Sequence, residues 1–242
     1  MVDNKRLHLI KALEERYAAA GPLTWKSLRC RWKRNAWYTT IMVARILKRS
    51  IDILGAGAAL LIFLPLFALV ALAIRLYDRG PIFFVQKRVG QWGREFDFPK
   101  FRSMVSNAEE LKELLIAQNQ HKNSVTFKIQ RDPRITPIGR FLRKTSIDEL
   151  PQLWSVLKGD MSLVGPRPPI PSEVLKYTLS DRRRLDVKPG LTCYWQIEGR
   201  GDVPFEQQVE MDIRYIDSKS IWLDIWLLAK TIPAVIQGKG AN

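Results

Sequence analysis

The chain has 242 residues and a formal net charge of +15, from 39 Lys and Arg against 24 Asp and Glu. Two cysteines and two histidines are too few for a disulfide framework or a histidine-rich transition-metal site. The length permits one large domain or two small ones. The positive charge predicts an anionic partner, which could be lipid head groups, nucleic acid or a phosphorylated substrate.

The first part of the chain is basic and aromatic. Residues 4–20 predict a small amphipathic packing helix. Residues 23–47 combine cations with Trp25, Trp32 and Trp37, a mixture that is typical of a helix lying at the level of lipid head groups. An RNA-binding helix would combine the same residue types. The apolar run that follows favours a membrane surface, so we expect no nucleic-acid partner.

A long apolar run, Ile51–Ile74, matches the roughly 30 Å hydrocarbon layer of a bilayer when it is helical. Pro65 lies near its middle, where proline removes one helical hydrogen bond and kinks the axis. Cations flank both ends of the run, so the positive-inside rule does not distinguish them. A re-entrant helix that enters and leaves by one face satisfies both observations. A kinked spanning helix and a buried core helix are the alternatives.

Two short alternating segments, Ile82–Val85 and Glu95–Phe98, predict a β-hairpin around a glycine-bounded turn. Lys100 and Arg102 follow the second strand and would lie close to whatever the hairpin borders. Three amphipathic helices are predicted farther along, at residues 107–120, 204–217 and 220–237. The last of these lies either on the membrane or in the core.

Asp148 and Glu149 are the strongest candidates for chemistry. Neighbouring side chains in a helix diverge by about 100°, so these two carboxylates cannot share one proton and would have different roles. One carboxylate could act as a nucleophile and the other could hold Mg²⁺. The structural alternative is a capping box, in which Ser146 and Glu149 cap a helix start. Pro151 is predicted to open a helix that Gly159 closes.

Several cations surround this acidic pair in the sequence. Arg143 lies just before it and can bind phosphate oxygens bidentately. Arg167 is held in the stiff segment Pro166–Pro169, which suits the positioning of a phosphate or a rigid surface connection. Arg200 lies in a glycine-bounded loop and is a candidate substrate-side cation. The run Arg182–Arg184 is interpreted as a solvated or lipid-contacting surface.

Four segments together resemble the bacterial sugar transferases, the monotopic polyprenyl-phosphate phosphoglycosyl transferases that start capsule, exopolysaccharide and O-antigen assembly. These segments are residues 100–104, 145–152, 158–168 and 188–192. The resemblance extends from about residue 46 to the C-terminus and leaves the first 45 residues outside it.

The resemblance implies transfer of a phosphosugar from a UDP-sugar to undecaprenyl phosphate, with release of UMP. It implies that Asp148 attacks the sugar-bearing phosphate and that Glu149 is associated with Mg²⁺. Both are therefore assigned as catalytic, and Glu149 also as the metal ligand. Glucose or galactose is the expected sugar, with N-acetylated sugars left open. We assign substrate-binding roles to Arg143, Arg167, Lys100, Arg102 and Arg200.

The resemblance also implies a re-entrant helix broken at a proline, here Pro65. Leu64 stands where a serine often precedes that proline, so the usual polar support is missing. The expected fold is α+β and mostly helical: a monotopic membrane protein with a re-entrant helix, interfacial amphipathic helices and a small β-hairpin. The expected parts are an interfacial extension (1–45), a membrane helix (46–78) and a catalytic domain (79–242).

Nucleotide sugars are cytosolic and the lipid acceptor is confined to the bilayer. We therefore expect the catalytic domain on the cytoplasmic face of the bacterial inner membrane. The N-terminal extension could bind lipid or form a homodimer. Two rival functions use the same residues or the same charge: a membrane-associated phosphohydrolase, and a non-catalytic basic membrane scaffold.

Overall fold

The computed structural model describes residues 25–108, 110–111, 132–199 and 203–237, together with residues 11, 12 and 15. The chain divides into two compact units, Met1–Lys48 and Arg49–Asn242. The prediction for residues 4–20, most of that for residues 107–120, and Arg200 lie outside the described residues.

The first described element, α1, is a helix that runs from Trp25 to Asp78. Its helical assignment continues through Pro65, so a break at this proline stays a prediction. Residues 28–78 form a helix long and apolar enough to cross a membrane: the most apolar 18-residue window has a mean hydropathy of 2.7, and only 11% of that window is buried. Such a composition is consistent with membrane association.

Both ends of the apolar part of α1 contact the globular part of the second unit. Near the N-terminal end, Ala56 is buried in one apolar cluster with Phe98 and Val156. Near the other end, Ile74 is buried in a second cluster with Phe101. Between these two positions the exposed large apolar side chains include Leu61, Ile62, Leu64, Leu69 and Leu72. The apolar part of α1 therefore packs on the second unit near both of its ends and keeps much of its surface between them exposed.

Polar contacts also fix the N-terminal end of the apolar part of α1. Asp52 is buried, and its Oδ1 accepts hydrogen bonds from Ser162 Oγ and from the Leu163 backbone N–H, both at 3.0 Å. The Arg49 guanidinium donates to the carbonyl oxygens of Val156 and Leu157 at 2.6 Å each. Charged groups on backbone donors and acceptors form strong hydrogen bonds, so this end of the helix is anchored.

The predicted hairpin is confirmed, with longer strands than expected. β1 (Phe83–Val89) and β2 (Glu95–Phe101) pair antiparallel, with Arg88 opposite Phe96 and Phe84 opposite Lys100. Directly opposed residues share a face of the ribbon. Arg88 and Lys100 therefore lie on the face that carries the buried Phe96 and Phe98.

Three short helical segments follow the hairpin: α2 (Pro137–Lys144), a 3₁₀ helix (Ile147–Gln152) and α3 (Leu153–Lys158). Thr136 caps α2, because its Oγ1 accepts from the Gly139 N–H at 2.9 Å. Gly159, with φ of 94°, ends α3 as predicted. The prediction that Pro151 opens a helix was wrong, since the 3₁₀ helix begins at Ile147 and contains this proline.

A second small sheet, which the sequence did not predict, joins β3 (Ser162–Val164) and β4 (Gly190–Thr192) in parallel. The remaining elements are α4 (Pro171–Val174), a 3₁₀ helix (Asp181–Asp186), α5 (Tyr194–Glu198), α6 (Phe205–Ser218) and α7 (Ile221–Gln237). Helices α6 and α7 confirm two predicted helices. The fold is mostly helical with small sheets, as expected for the α+β class.

Helix α7 has one buried and one exposed apolar face. Leu227 is buried in the same cluster as Ala56. Trp222, Ile225 and Trp226 are exposed on the opposite side. One face of this helix is therefore core, and contact of its exposed apolar face with a membrane stays a prediction.

Candidate active site

The 3₁₀ helix that follows α2 carries the two predicted carboxylates. Ser146, the residue before it, has left-handed backbone angles of φ 55° and ψ 17°. Its side chain makes no capping hydrogen bond, so the alternative of a capping box with Glu149 is not realised. The turn brings Asp148 and Glu149 next to β2, where Lys100 ends the hairpin face described above.

Glu149 is held by two cations. Its Oε1 lies 2.8 Å from Lys100 Nζ and 2.8 Å from Arg167 Nη2, and its Oε2 lies 3.4 Å from Arg167 Nη1. Burial acts to raise the pKa of Glu149, but Arg167 and Lys100 outweigh it and hold that pKa well below its usual range. Glu149 is therefore ionised and fixed in place at neutral pH.

Asp148 is the less restrained carboxylate. It is 6% exposed, and no hydrogen bond to its side chain is formed among the described residues. Burial raises the pKa of Asp148 to about 6, against the opposing influence of Lys100 and Arg143, while the charge of Glu149 raises it further. Asp148 is thus a buried carboxylate that ionises just below neutral pH.

Arg143, in the last turn of α2, lies close enough to this carboxylate for their charges to interact. Its Nε donates to Ser103 Oγ at 2.9 Å, and Ser103 is itself buried. Burial lowers the pKa of Arg143, and the charge of Asp148 is the largest opposing influence. A guanidinium is a planar donor of the kind that binds phosphate oxygens.

Arg167 follows β3 in the extended proline segment, as the sequence predicted. Burial acts to lower the pKa of Arg167, but its ion pair with Glu149 outweighs this and raises it. For Lys100 the balance is the opposite, because burial outweighs the attraction of Glu149 and lowers its pKa. The Nζ of Lys100 lies 5.3 Å from the centre of the Phe98 ring. The structure therefore brings four predicted site residues together with Asp148.

Sequence reasoning missed one further residue of the site, Arg88. Its Nη1 donates to the Pro168 carbonyl at 3.0 Å, and its guanidinium carbon lies 5.2 Å from the centre of the Phe98 ring. Burial lowers the pKa of Arg88 to about 10, and the positive charge of Arg167 contributes in the same direction. Strand alternation could have identified it, since it shares a hairpin face with Lys100.

Arg102 lies elsewhere. Its guanidinium pairs with Asp78 at the end of α1 and donates to Ser106 Oγ at 2.9 Å. Among the described residues its side chain contacts neither Asp148 nor Glu149. The substrate-binding roles of Arg102 and Arg200 stay predictions.

The interpretation of Arg182–Arg184 as a solvated surface was wrong for its last member. Arg184 is buried, and its Nη2 lies 2.6 Å from Asp212 Oδ2. A buried carboxylate of this kind is uncharged or paired, and this one is paired. Sequence could not reveal the pairing, because the two residues belong to separate elements.

Cations outnumber carboxylates around Asp148 and Glu149 among the described residues. The cations are Lys100, Arg88, Arg143 and Arg167, and the further carboxylates Glu173 and Asp132 act on Arg88 and Arg143. Such a site favours an anionic ligand.

A Mg²⁺ ion at Glu149 is compatible with these donors. Among the described residues there is no group of three His, Cys, Asp or Glu that could form a complete metal site. Oε1 of Glu149 is shared by two cations, but Oε2 has only one long contact and retains acceptor capacity. Mg²⁺ commonly takes one or two protein carboxylates and completes its shell with substrate phosphates and water.

Comparison with known proteins agrees with this chemistry. A family model described as "Bacterial sugar transferase" matches residues 43–238. The chain belongs to the bacterial sugar transferase family. The match includes every described residue of the candidate site, and the family is one of transferases.

Curated members of the sugar transferase family are similar over most of this chain. This chain is 50% identical over 198 residues to the "Galactosyl transferase CpsE" of Streptococcus agalactiae serotype III. The aligned region covers 81% of this chain and 44% of that protein. The chain is 45% identical over 203 residues to the "Undecaprenyl-phosphate galactose phosphotransferase" of Salmonella typhimurium, covering 82% and 42%. It is 41% identical over 197 residues to the "Exopolysaccharide production protein ExoY" of Rhizobium meliloti, covering 80% and 87%. The chain thus spans less than half the length of the first two relatives and most of the third.

Proposed function

We propose that the chain transfers a phosphosugar from a UDP-sugar to undecaprenyl phosphate and releases UMP. The observation that carries the proposal is the placement of Asp148: a buried, ionisable carboxylate without a hydrogen bond among the described residues, in a site rich in cations. Relatives named for undecaprenyl-phosphate phosphotransferase activity support the acceptor.

The reaction proceeds in two displacements at one phosphorus. A carboxylate oxygen of Asp148 attacks the sugar-bearing phosphate, the bond to the bridging oxygen breaks, and UMP leaves with the bonding electrons. A phosphate oxygen of undecaprenyl phosphate then attacks the same phosphorus and releases the Asp148 carboxylate. The product is a lipid-linked diphosphosugar, and the enzyme returns to its starting state.

The two carboxylates have different roles because their surroundings differ. Glu149 is ionised, but its Oε1 is engaged by both Lys100 and Arg167, which hold the carboxylate in place, so it is a poor nucleophile and a good orienting group. Asp148 lacks such restraints and can turn toward phosphorus. This division agrees with the divergence of adjacent side chains along a helical segment.

The cations stabilise the charge that moves during transfer. Arg143 and Arg167 offer planar donors to phosphate oxygens, and Lys100 and Arg88 add charge in a largely buried site. Phosphoryl transfer depends mainly on such positioning and neutralisation. Mg²⁺ held by Glu149 and the donor phosphates would supply further neutralisation when bound.

The donor sugar is proposed to be a hexose, galactose or glucose. The relatives from Streptococcus agalactiae and Salmonella typhimurium are named for galactose, and a relative from Komagataeibacter xylinus, 41% identical over 205 residues, is named for glucose. The product would begin an exopolysaccharide, capsule or O-antigen unit, in keeping with the relative named for exopolysaccharide production.

The proposed location is the cytoplasmic face of the bacterial inner membrane, with α1 re-entrant. The exposed stretch Leu61–Leu64 of its apolar part would enter the bilayer while both ends rest on the catalytic unit. The exposed apolar face of α7 offers a second lipid contact. This arrangement lets the donor arrive from water and the acceptor from the membrane.

The test is UMP release by the full chain in nanodiscs with Mg²⁺, undecaprenyl phosphate and one UDP-sugar at a time. We expect lipid-dependent turnover with UDP-galactose or UDP-glucose, one equivalent of UMP per enzyme without lipid, and neither with Asp148→Asn. Asp217→Asn, which removes an exposed partner of Arg183, serves as the matched control. Continuous UMP formation without lipid would indicate a phosphohydrolase instead, and robust activity of Asp148→Asn would exclude the covalent route.

A further inference from the structure

The end of α1 is linked to the candidate active site through a short series of contacts. Asp78, the last residue of α1, pairs with the Arg102 guanidinium and accepts from the Gly80 N–H at 3.2 Å. Arg102 is 7% exposed, and its backbone N–H donates to the Ile82 carbonyl at 2.9 Å. Both the side chain and the backbone of Arg102 are therefore fixed by the segment that leaves α1.

The next residue, Ser103, is fixed from the opposite side. Its carbonyl accepts from the Thr136 N–H at 3.1 Å, and a Cβ at Gly139 would lie only 1.9 Å from that carbonyl oxygen. Helix α2 thus packs directly on the backbone of Ser103, at a distance that only glycine permits. The Ser103 hydroxyl accepts from Arg143 Nε at 2.9 Å and so orients the guanidinium near Asp148.

We propose that Asp78 and Arg102 are positioning residues that fix Ser103 and, through its hydroxyl, the guanidinium of Arg143 beside Asp148. This inference rests on the proposed function, which makes Arg143 a phosphate ligand. It gives Arg102 a role that needs no contact with the substrate. The same contacts connect the position of the C-terminal end of α1 to the geometry of the active site.

The Arg102 position can be disturbed in two independent ways. Asp78→Asn removes the charge that pairs with the guanidinium. Gly80→Ala leaves every charge in place, but its new Cβ would lie 2.0 Å from Arg102 Nη1, so the end of the Arg102 side chain must move. The second variant keeps the test valid if the first one fails to fold. Asp217→Asn, at the exposed Arg183–Asp217 pair, is the control for loss of an ion pair.

The experiment measures UMP release by the full chain in nanodiscs without lipid acceptor. The amplitude of the burst counts competent sites, and its rate constant reports the chemistry in each of them. We expect Asp78→Asn and Gly80→Ala to slow the rate constant by about 10- to 100-fold with a near wild-type amplitude, as a misplaced arginine would. The control should retain the wild-type rate constant.

A double-mutant cycle separates positioning from a general structural role. On an Arg143→Gln background, either variant should slow the burst by less than about twofold, because the group that they position is already gone. An equal loss on both backgrounds, a wild-type rate constant, or a loss confined to the amplitude would overturn the inference.

If wild-type protein gives no burst, the proposed function fails, and the positioning role is decided by binding of UDP in calorimetry. Both variants should then weaken UDP binding only when Arg143 is present. Unchanged or additive effects on UDP affinity would overturn the positioning role on their own.

Discussion

Asp148 and Glu149 are neighbours in the chain, yet their pKa values move in opposite directions. Burial dominates at Asp148 and raises its pKa to about 6, whereas Arg167 and Lys100 overcome burial at Glu149 and depress its pKa. The contrast follows from contacts: one carboxylate accepts from two cations, and the other accepts from none among the described residues. Each value leads to a separate expectation for activity and stability.

The rate of UMP release should depend on the ionisation of Asp148. Only the carboxylate form can attack phosphorus, so the burst rate constant should fall about tenfold per pH unit below about 6 and level off above about 7. Burst kinetics between pH 5 and pH 8 measure this directly, with melting curves at each pH as a control for folding. A flat profile across this range would contradict the role of Asp148.

The same raised pKa predicts that the ionised nucleophile destabilises the fold. A folded-state pKa of about 6 against the ordinary aspartate value of 3.8 means that the contribution of Asp148 to stability is full below about pH 4 and is lost as the pH rises through 6. The two-unit difference corresponds to roughly 3 kcal/mol at most. Asp148→Asn should therefore raise the melting temperature at pH 8 and leave it nearly unchanged at pH 4. An equal shift at both pH values would argue against this cause.

Glu149→Gln should have the opposite effect on stability. The depressed pKa of Glu149 contributes stability above the ordinary value of 4.5, and this contribution is lost as the pH falls through the lower folded-state pKa. At pH 7 the variant leaves Lys100 and Arg167 without their carboxylate. Because these side chains are about one fifth exposed, we expect a loss of about 2–3 kcal/mol, less than for a fully buried pair.

Melting curves at pH 7 test this expectation. Asp97→Asn is the matched control, since its ion pair with Lys87 is more than half exposed and should contribute little to stability. Equal melting temperatures for Glu149→Gln and the control would show that the two cations do not depend on Glu149.

For single residues, the sequence predicted those features that depend only on neighbours in the chain. The different surroundings of Asp148 and Glu149 agree with the expectation that adjacent carboxylates diverge, and their separate roles stay a prediction. Contacts between distant segments were not predictable in the same way: Arg88 meets the Pro168 carbonyl, and Arg184 meets Asp212. A charge that is buried by another element looks the same in a sequence as a charge in solvent.

Periodicity predicted the longer elements of the fold. The hairpin and helices α6 and α7 appear where alternating or helical spacing placed them, because their apolar faces span several repeats. The β3–β4 sheet was missed because three-residue strands are too short to show alternation. The start of the 3₁₀ helix was missed because proline marks a preferred position within a helix rather than an obligatory first residue.

The N-terminal anchor of α1 is the contact between elements that is easiest to test. Asp52→Ala removes the acceptor of both Ser162 Oγ and the Leu163 N–H, which are buried at the start of β3. Buried donors left without partners typically cost 1–3 kcal/mol each, so we expect a loss of about 2–4 kcal/mol. Since β3 leads to Arg167, UMP release should fall as well.

Melting curves and burst amplitudes of Asp52→Ala provide the measurement. Asp217→Ala, which changes an exposed aspartate, is the matched control. A variant with unchanged stability and activity would show that apolar packing around Ala56 anchors this end of the helix by itself.

For the whole molecule, the two ends of the apolar part of α1 lead to an expectation for topology. Ala56 and Ile74 are both buried against the catalytic unit, although they would be roughly 27 Å apart along a straight helix. Ends that rest on one domain should lie on one side of the membrane.

Cysteine labelling tests this topology. With Cys30 and Cys193 replaced by serine, Ser50→Cys and Arg79→Cys should both react with an impermeant maleimide only from the cytoplasmic side. Lys176→Cys, on the catalytic unit, marks that side as a control. Labelling of the two positions from opposite sides would establish a spanning helix and exclude re-entrance.

The left-handed backbone at Ser146 restricts the sequences that can encode this site. Its φ of 55° suits glycine and is reached at modest cost by small polar residues such as serine, asparagine and aspartate, whereas β-branched side chains are strongly disfavoured there. The turn lies between Arg143 and Asp148, so their five-residue spacing is set by this reversal and not by a helical repeat. An insertion or deletion in that interval would therefore redirect both carboxylates, which makes the length of the segment as restrictive as its chemistry.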